Sequence, residues 1–270
     1  MFYSYAMKPF VRTLLLALVL TTGVTAGAQT LEQTLAAYKG KDYATALAGF
    51  KRLAGQGDAT AQFGLGLMYA SGQGVPKDEA EAVKWYRKAA DQGDATAQSK
   101  LGEMYDFGRG IHRDNAEAVN WYRKAADQGL AEAQLKMAAT YDLGRRVHRD
   151  YVEAVKWLRK AADQGFAKAQ NDLGVMYEHG RGVPKDYGEA LKWYRKAADQ
   201  GDVLAQMNLS GMYDRGDGVP IDRVEADKWI ILAAASGFKE AEMLRENVER
   251  RMNRKKMEEA LRLANEWKPK

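Results

Sequence analysis

The sequence predicts an all-α solenoid, on three observations. Trp85, Trp121, Trp157, Trp193 and Trp229 fall 36 residues apart with no insertion or deletion between them. Each sits in a near-copy of the phrase EAVKWYRKAADQG. Within each copy the apolar residues recur at three- and four-residue spacing, the period of one helical face. A fixed period of about twenty to fifty residues marks a stack whose units bury their apolar faces only against their neighbours.

Residues 1–28 stand apart from the array. Lys8 and Arg12 precede an apolar run over 14–20, and Ala26-Gly27-Ala28 has the small-x-small pattern of a signal-peptidase site, so cleavage is expected after Ala28. Met7 is an alternative start. Thr21, Thr22 and Gly23 interrupt the apolar stretch and leave it too short for a stable membrane-spanning helix, so no anchor is expected after cleavage. The mature chain is therefore expected in the periplasm or outside the cell. There is no cysteine, so stability rests on packing alone, and a thiolate metal site, a thiol nucleophile and a lipidated cysteine are all excluded.

The net charge of +5 is uneven along the chain: the leader carries +2, residues 238–270 carry +3, and the array between them is neutral. A neutral array without a basic stripe does not match the footprint of a nucleic-acid binder.

Residues 29–57 predict a divergent first helix pair, over 31–39 and 42–54, with Phe50 in the column of Tyr86 and Gly49 in that of Trp85. Five 36-residue units follow over 58–237. In the unit 94–129, Ala97, Leu101, Met104 and Tyr105 line one face of a first helix, which ends at Gly108. That column is glycine in every copy, as expected for a left-handed helix terminus. Asp114 with Glu117 then reads as a capping box starting the second helix, and the pairing repeats as Asp78 with Glu81, Asp150 with Glu153, Asp186 with Glu189 and Asp222 with Glu225. Ala118, Trp121, Tyr122 and Ala125 form the second helix's buried side. The short link after Gly129 forces antiparallel packing of the next helix. Residues 238–270 lose the pattern after Ala241 and read as charged helices capping the open end.

The columns A-Q-x-x-L-G-x-x-Y-x-x-G-x-G-V-P-x-D and E-A-x-K-W-Y-R-K-A-A-x-x-G resemble the Sel-one-like repeat family, relatives of tetratricopeptide repeats with a longer loop. Ala61-Gln62, Leu65-Gly66, Tyr69, Gly72, Gly74, Val75, Pro76, Asp78, Ala82 and Trp85 all match in the first full unit. Met137-Ala138 and Ser210 depart at the Leu-Gly position, Arg146 at the second loop glycine, His112 and His148 at the proline, and Ile231-Leu232 at Arg-Lys. The resemblance implies a right-handed superhelix of antiparallel helix pairs, a concave groove lined by the first helices, and a non-enzymatic adaptor that holds other proteins. Some cysteine-rich relatives have been described as penicillin-binding or β-lactamase-like. An envelope enzyme acting on cell-wall material or β-lactams is therefore the alternative class.

Copies within one chain can be compared with each other. The variable columns begin at Thr60, Phe63, Leu67, Ala70 and Ser71, on the face opposite Ala61, Leu65 and Tyr69. They place the partner-binding set at Phe63, Leu67, Ser99, Glu103, Phe107, Leu135, Leu143, Asn171, Val175, His179, Met207 and Arg215. The apolar members are candidate anchors for a protein or peptide held by a monomer. In a second reading, several of them pack against the adjacent helix instead. Asp106, Asp142, Glu178 and Asp214 form an acidic stripe near helix C-termini, where the macrodipole disfavours negative charge. Arg109, Arg145 and Arg181 stand three residues beyond the first three and are expected to pair with them, which leaves Asp214 without such a partner. A basic patch on a partner is the other reading of the stripe.

Other signals carry less. His112 and His148 lie a whole repeat apart, too far to share a metal ion with each other. Ser236 and Lys239 spell S-x-x-K without its companion motifs. Arg215-Gly216-Asp217 reads as an integrin tripeptide arising from variable columns beside a fixed glycine, and the basic cluster 250–256 is interspersed with glutamates. No catalytic residue, cofactor or metal ligand is expected.

Overall fold

A computed structural model describes residues 29–144 and 147–269. The leader with its expected cleavage site, and Arg145 and Arg146, lie outside the described residues. The first pair is α1 (Leu31–Lys39) and α2 (Tyr43–Gly55). The repeats supply α3 (Ala59–Ser71), α4 (Glu79–Asp91), α5 (Ala95–Phe107), α6 (Asn115–Asp127), α7 (Ala131–Leu143), α8 (Tyr151–Asp163), α9 (Ala167–His179), α10 (Tyr187–Asp199), α11 (Val203–Arg215) and α12 (Arg223–Ala234). Two further helices close the end, α13 (Lys239–Glu249) and α14 (Arg254–Glu266). Each helix packs mainly against its neighbours in the chain, and α12 also carries α14.

Helix ends follow the repeating chemistry, with one correction. Gly72, Gly108, Gly144, Gly180 and Gly216 all end their helices in the left-handed conformation, with φ from 63° to 79°. The aspartates at 78, 114, 150, 186 and 222 each accept from a first-turn amide as expected. The reciprocal half of the capping box is absent at all five. Each aspartate's own N–H donates instead to a tyrosine carbonyl, at Tyr69, Tyr105, Tyr141, Tyr177 and Tyr213, so that donor is already satisfied. The glutamates turn outward, and Glu81, Glu153, Glu189 and Glu225 pair with the lysine three residues on. The full box occurs at α1, where Thr30 and Gln33 exchange both bonds.

Layers are locked by contacts that recur with the repeat. Gln62, Gln98, Gln134, Gln170 and Gln206 are buried, and each donates through Nε2 to a last-turn carbonyl of the preceding helix, from Ala54 to Ala198, at 3.1–3.4 Å. The first four also accept from Gln92, Gln128, Gln164 and Gln200 at 2.7–2.8 Å. Arg87, Arg123, Arg159 and Arg195 donate to the hydroxyls of Tyr105, Tyr141, Tyr177 and Tyr213 in the following repeat. Trp121, Trp157, Trp193 and Trp229 are buried as expected, whereas Trp85 is half-buried. A lysine three residues on from Trp85, Trp121, Trp157 and Trp193 lies over each ring at 3.7–4.0 Å.

One close approach explains two departures from the repeat pattern. A Cβ on Gly66, Gly102 or Gly174 would lie 2.6–2.8 Å from ring atoms of Tyr86, Tyr122 or Tyr194. Only glycine admits the ring there. Where that position holds Ala138 or Ser210, the residue in the ring's register is Leu158 or Ile230, so the two positions vary together.

The last layer contains an anomaly. Asp227 occupies the column of Val83, Val119, Val155 and Leu191, is fully buried, and has no hydrogen-bond partner on either carboxylate oxygen. Arg245 of α13 stands 3.8 Å away and Glu249 adds repulsion. Burial first, then Glu249, pushes its pKa up to about 6.

Two predictions follow from this packing. Gly66→Ala alone should destabilise the protein by about 1–3 kcal/mol through overpacking. In a Tyr86→Leu background the same change should turn stabilising by up to about 1 kcal/mol, the helix-propensity gain of alanine. A urea double-mutant cycle reads the sign, and equal effects in both backgrounds would refute the ring-on-glycine contact. Asp227 acts through pH: its folded pKa is raised, so the charged form opposes folding. That penalty is absent below about pH 4, grows as pH rises through about 6 and is constant above it. Asp227→Asn should therefore stabilise by about 2 kcal/mol at pH 8 and much less at pH 4.5. Thermal melts at the two pH values check it, and a pH-independent effect would count against the buried charge.

Candidate functional site

The structure divides the predicted partner-binding residues into three groups, according to which way each column points. Phe63, Ser99, Leu135, Asn171 and Met207 share one column. Phe63 is only 5% exposed and its ring centroid lies 5.7 Å from that of Tyr86. Ser99 and Asn171 are buried too, and Asn171 accepts from Asn208 of the next repeat at 2.9 Å. Leu135 and Met207 are half-buried against the core. This column is a seam between layers. Assigning Phe63, Ser99 and Asn171 to an open recognition surface is corrected by their burial, because neighbouring helices cover the column: Phe63 lies against Tyr86 of α4 and Asn171 bonds Asn208 of α11.

The second column is intermediate. Leu67 and Val175 are half-buried against apolar clusters, and Glu103 is held by Lys100 at 2.8 Å and Lys136 at 3.7 Å. The third column is open: Phe107 is 57% exposed, Leu143 is 46% exposed, and His179 and Arg215 are exposed as well. These four lie at the C-terminal ends of α5, α7, α9 and α11 and form a rim.

At Glu178 and Asp214 the acidic stripe is paired differently from expectation, and the expected Asp142–Arg145 pair lies outside the described residues. Glu178 bonds Arg215 of the next repeat at 3.2 Å rather than Arg181, and it accepts from the Tyr194 hydroxyl at 2.7 Å. Burial, then the carboxylate of Glu178, pushes the Tyr194 pKa well above its usual range. Asp214, expected to lack a partner, bonds Arg251 at 2.7 Å and has Arg223 at 3.6 Å. Both inter-layer pairs span 37 residues, a rim position one layer on. Arg109 lies over the Phe107 ring at 5.0 Å. The geometry favours inter-layer pairing, because a rim side chain of the next repeat lies across the acid.

A cavity of about 380 Å³ opens where this rim meets the cap, lined by Val175, His179, Met207 and Arg215 together with Leu244 and Val248. Sequence reasoning missed the contribution of Tyr194 and Arg251. Tyr194 sits in a core column, and Arg251 lies where the repeat pattern is no longer recognisable, though its 37-residue distance from Asp214 repeats that of Arg215 from Glu178. The integrin-like tripeptide closes on itself, with Arg215 Nε 2.6 Å from the Asp217 carboxylate. Ser236 Oγ donates to the Ala233 carbonyl at 2.6 Å. Among the described residues no cluster of His, Asp and Glu could hold a metal ion, and no helix is long and apolar enough to cross a membrane.

Comparison with known proteins places this geometry. The Sel1 repeat model matches five times, over 59–94, 95–130, 131–166, 167–202 and 203–238. A crystal structure of a protective antigen present in uropathogenic Escherichia coli strains, displaying an SLR fold, is 40% identical over 87% of this chain with a TM-score of 0.79. The chain spans about half of that protein's length, 52%. A Sel1 repeat protein from Oxalobacter formigenes is 35% identical, with 86% of this chain and 95% of that one covered and a TM-score of 0.76. Among curated proteins there is no match. With five consecutive repeats in register over 59–238, the chain belongs to the Sel1 repeat family.

Proposed function

We propose that the protein is an exported interaction scaffold that holds a protein or peptide against the rim and groove of its first helices. Sel1 repeat proteins are typically protein-protein interaction scaffolds and generally not enzymes. The observation that carries the finer reading is the pair Phe107 and Leu143, large apolar side chains exposed in one column of adjacent repeats. Apolar groups of this size left open together on a folded surface mark an interaction site. Leu67, Leu135, Val175 and Met207 extend the apolar surface inward at half burial. The scaffold acts as a monomer in the cell envelope or outside the cell, after removal of residues 1–28.

Phe107→Ser combined with Leu143→Ser should abolish capture of partners from the native envelope while the helical circular dichroism stays unchanged. Undiminished capture would refute the assignment. For export, the periplasmic or culture fraction should contain a chain whose N-terminal residue is Gln29. A full-length chain confined to the cytoplasm would contradict it.

A further inference from the structure

The acidic stripe is complete at one end of the array and incomplete in the middle. Glu178 and Asp214 each receive an arginine from the layer above, Arg215 and Arg251. The same 37-residue step from Asp106 arrives at Leu143, which carries no charge and stands exposed. Tyr122, which corresponds to Tyr194, is 3% exposed, and its hydroxyl has no hydrogen-bond partner. Burial and then the negative field of Glu103, Asp106 and Glu132 push its pKa up, and in the same register one pair of layers on Tyr194 donates to Glu178, the counterpart of Asp106, at 2.7 Å. Glu103 is already held by Lys100 and Lys136. The junction of the second and third repeats thus has the acid and the phenol of the fourth and fifth, without the guanidinium.

We propose that this gap is the seat of an arginine supplied by a protein partner, with Asp106 and Tyr122 beneath it and Phe107 and Leu143 flanking it. The charge complementarity is specific. A guanidinium presents a planar fork of donors to a carboxylate, and it stacks on an aromatic face as Arg109 already does on Phe107. A lysine ammonium does neither as well. The exposed leucine and phenylalanine then require an apolar residue next to the partner's arginine. The inference rests on the protein-binding reading above and names the chemistry of the partner segment.

The test selects random dodecapeptides, displayed on phage, against the full chain, and measures the affinity of synthetic copies by fluorescence anisotropy. Selected peptides should share an arginine beside an apolar residue. Binding should weaken about tenfold or more with Asp106→Asn, the loss expected for a charge-assisted hydrogen bond. Leu143→Arg should give a similar loss, because it fills the gap from within as Arg215 does one pair of layers on. Replacing the peptide's arginine by lysine should weaken binding, and glutamate should abolish it. Circular dichroism of both variants verifies the fold. Peptides that bind, are released by Phe107→Ser with Leu143→Ser, and ignore both Asp106→Asn and Leu143→Arg would overturn the arginine seat and leave the rim as a binding surface. A library that yields no peptide sensitive to any of these changes would overturn both.

Discussion

The array depends on how one helix pair is joined to the next, and that joint is made by a buried amide. Each of Gln62, Gln98, Gln134, Gln170 and Gln206 bridges back to a last-turn carbonyl of the preceding helix, and the first four also accept a glutamine from the end of their own repeat. Each of these carbonyls also accepts the N–H of the glycine three residues on, so the bridge uses its second lone pair and satisfies the buried glutamine amide, which would cost about 1–3 kcal/mol if left unpaired. It also fixes the angle at which the next first helix departs. Across the same joint the arginine of one layer reaches the tyrosine hydroxyl of the next, while the tyrosine ring settles on its glycine within each layer.

This joint determines which side chains remain free for recognition. The column of Phe63, Ser99 and Asn171 is consumed by packing against neighbouring helices. The column two turns further on, through Phe107, Leu143, His179 and Arg215, projects past the seam. Along that rim the character changes from apolar to basic, and the basic end is neutralised by Glu178, Asp214 and Asp217 within the chain. The C-terminal helices reinforce this asymmetry. Arg251 completes the last acid, and α13 closes the cavity against the fifth repeat. Sequence divergence in the cap therefore preserves one inter-layer contact of the array while ending the array.

Much of the fold was legible because the sequence states it five times. The glycine termini, the aspartate caps, the core alanines and the divergent first pair are local or strictly periodic, and they appear where the pattern puts them. What was not legible depends on contacts between copies. The glutamates of the presumed capping boxes look local, yet the tyrosine carbonyl that takes their place comes from another helix. Variability marked Phe63 as free, whereas it packs on Tyr86, because a seam tolerates several residue types provided the opposite wall adjusts. Asp106 and Glu178 seemed to face arginines three residues away, but Arg109 lies over Phe107 and Glu178 is reached by a rim residue of the next layer. A covariation such as Gly66 with Tyr86 against Ala138 with Leu158 was present in the chain, and its meaning required the geometry.

The central claim is that packing between layers closes the seam column and leaves the rim column open. The chain contains no cysteine, so single substitutions report on one position at a time. Maleimide labelling of native Ser99→Cys, Asn171→Cys, Phe107→Cys and Leu143→Cys compares two seam positions with two rim positions. The account predicts rapid labelling at 107 and 143 and protection at 99 and 171 until the protein is unfolded in urea. Equal rates at all four positions in the native protein, or faster labelling at the seam, would contradict it.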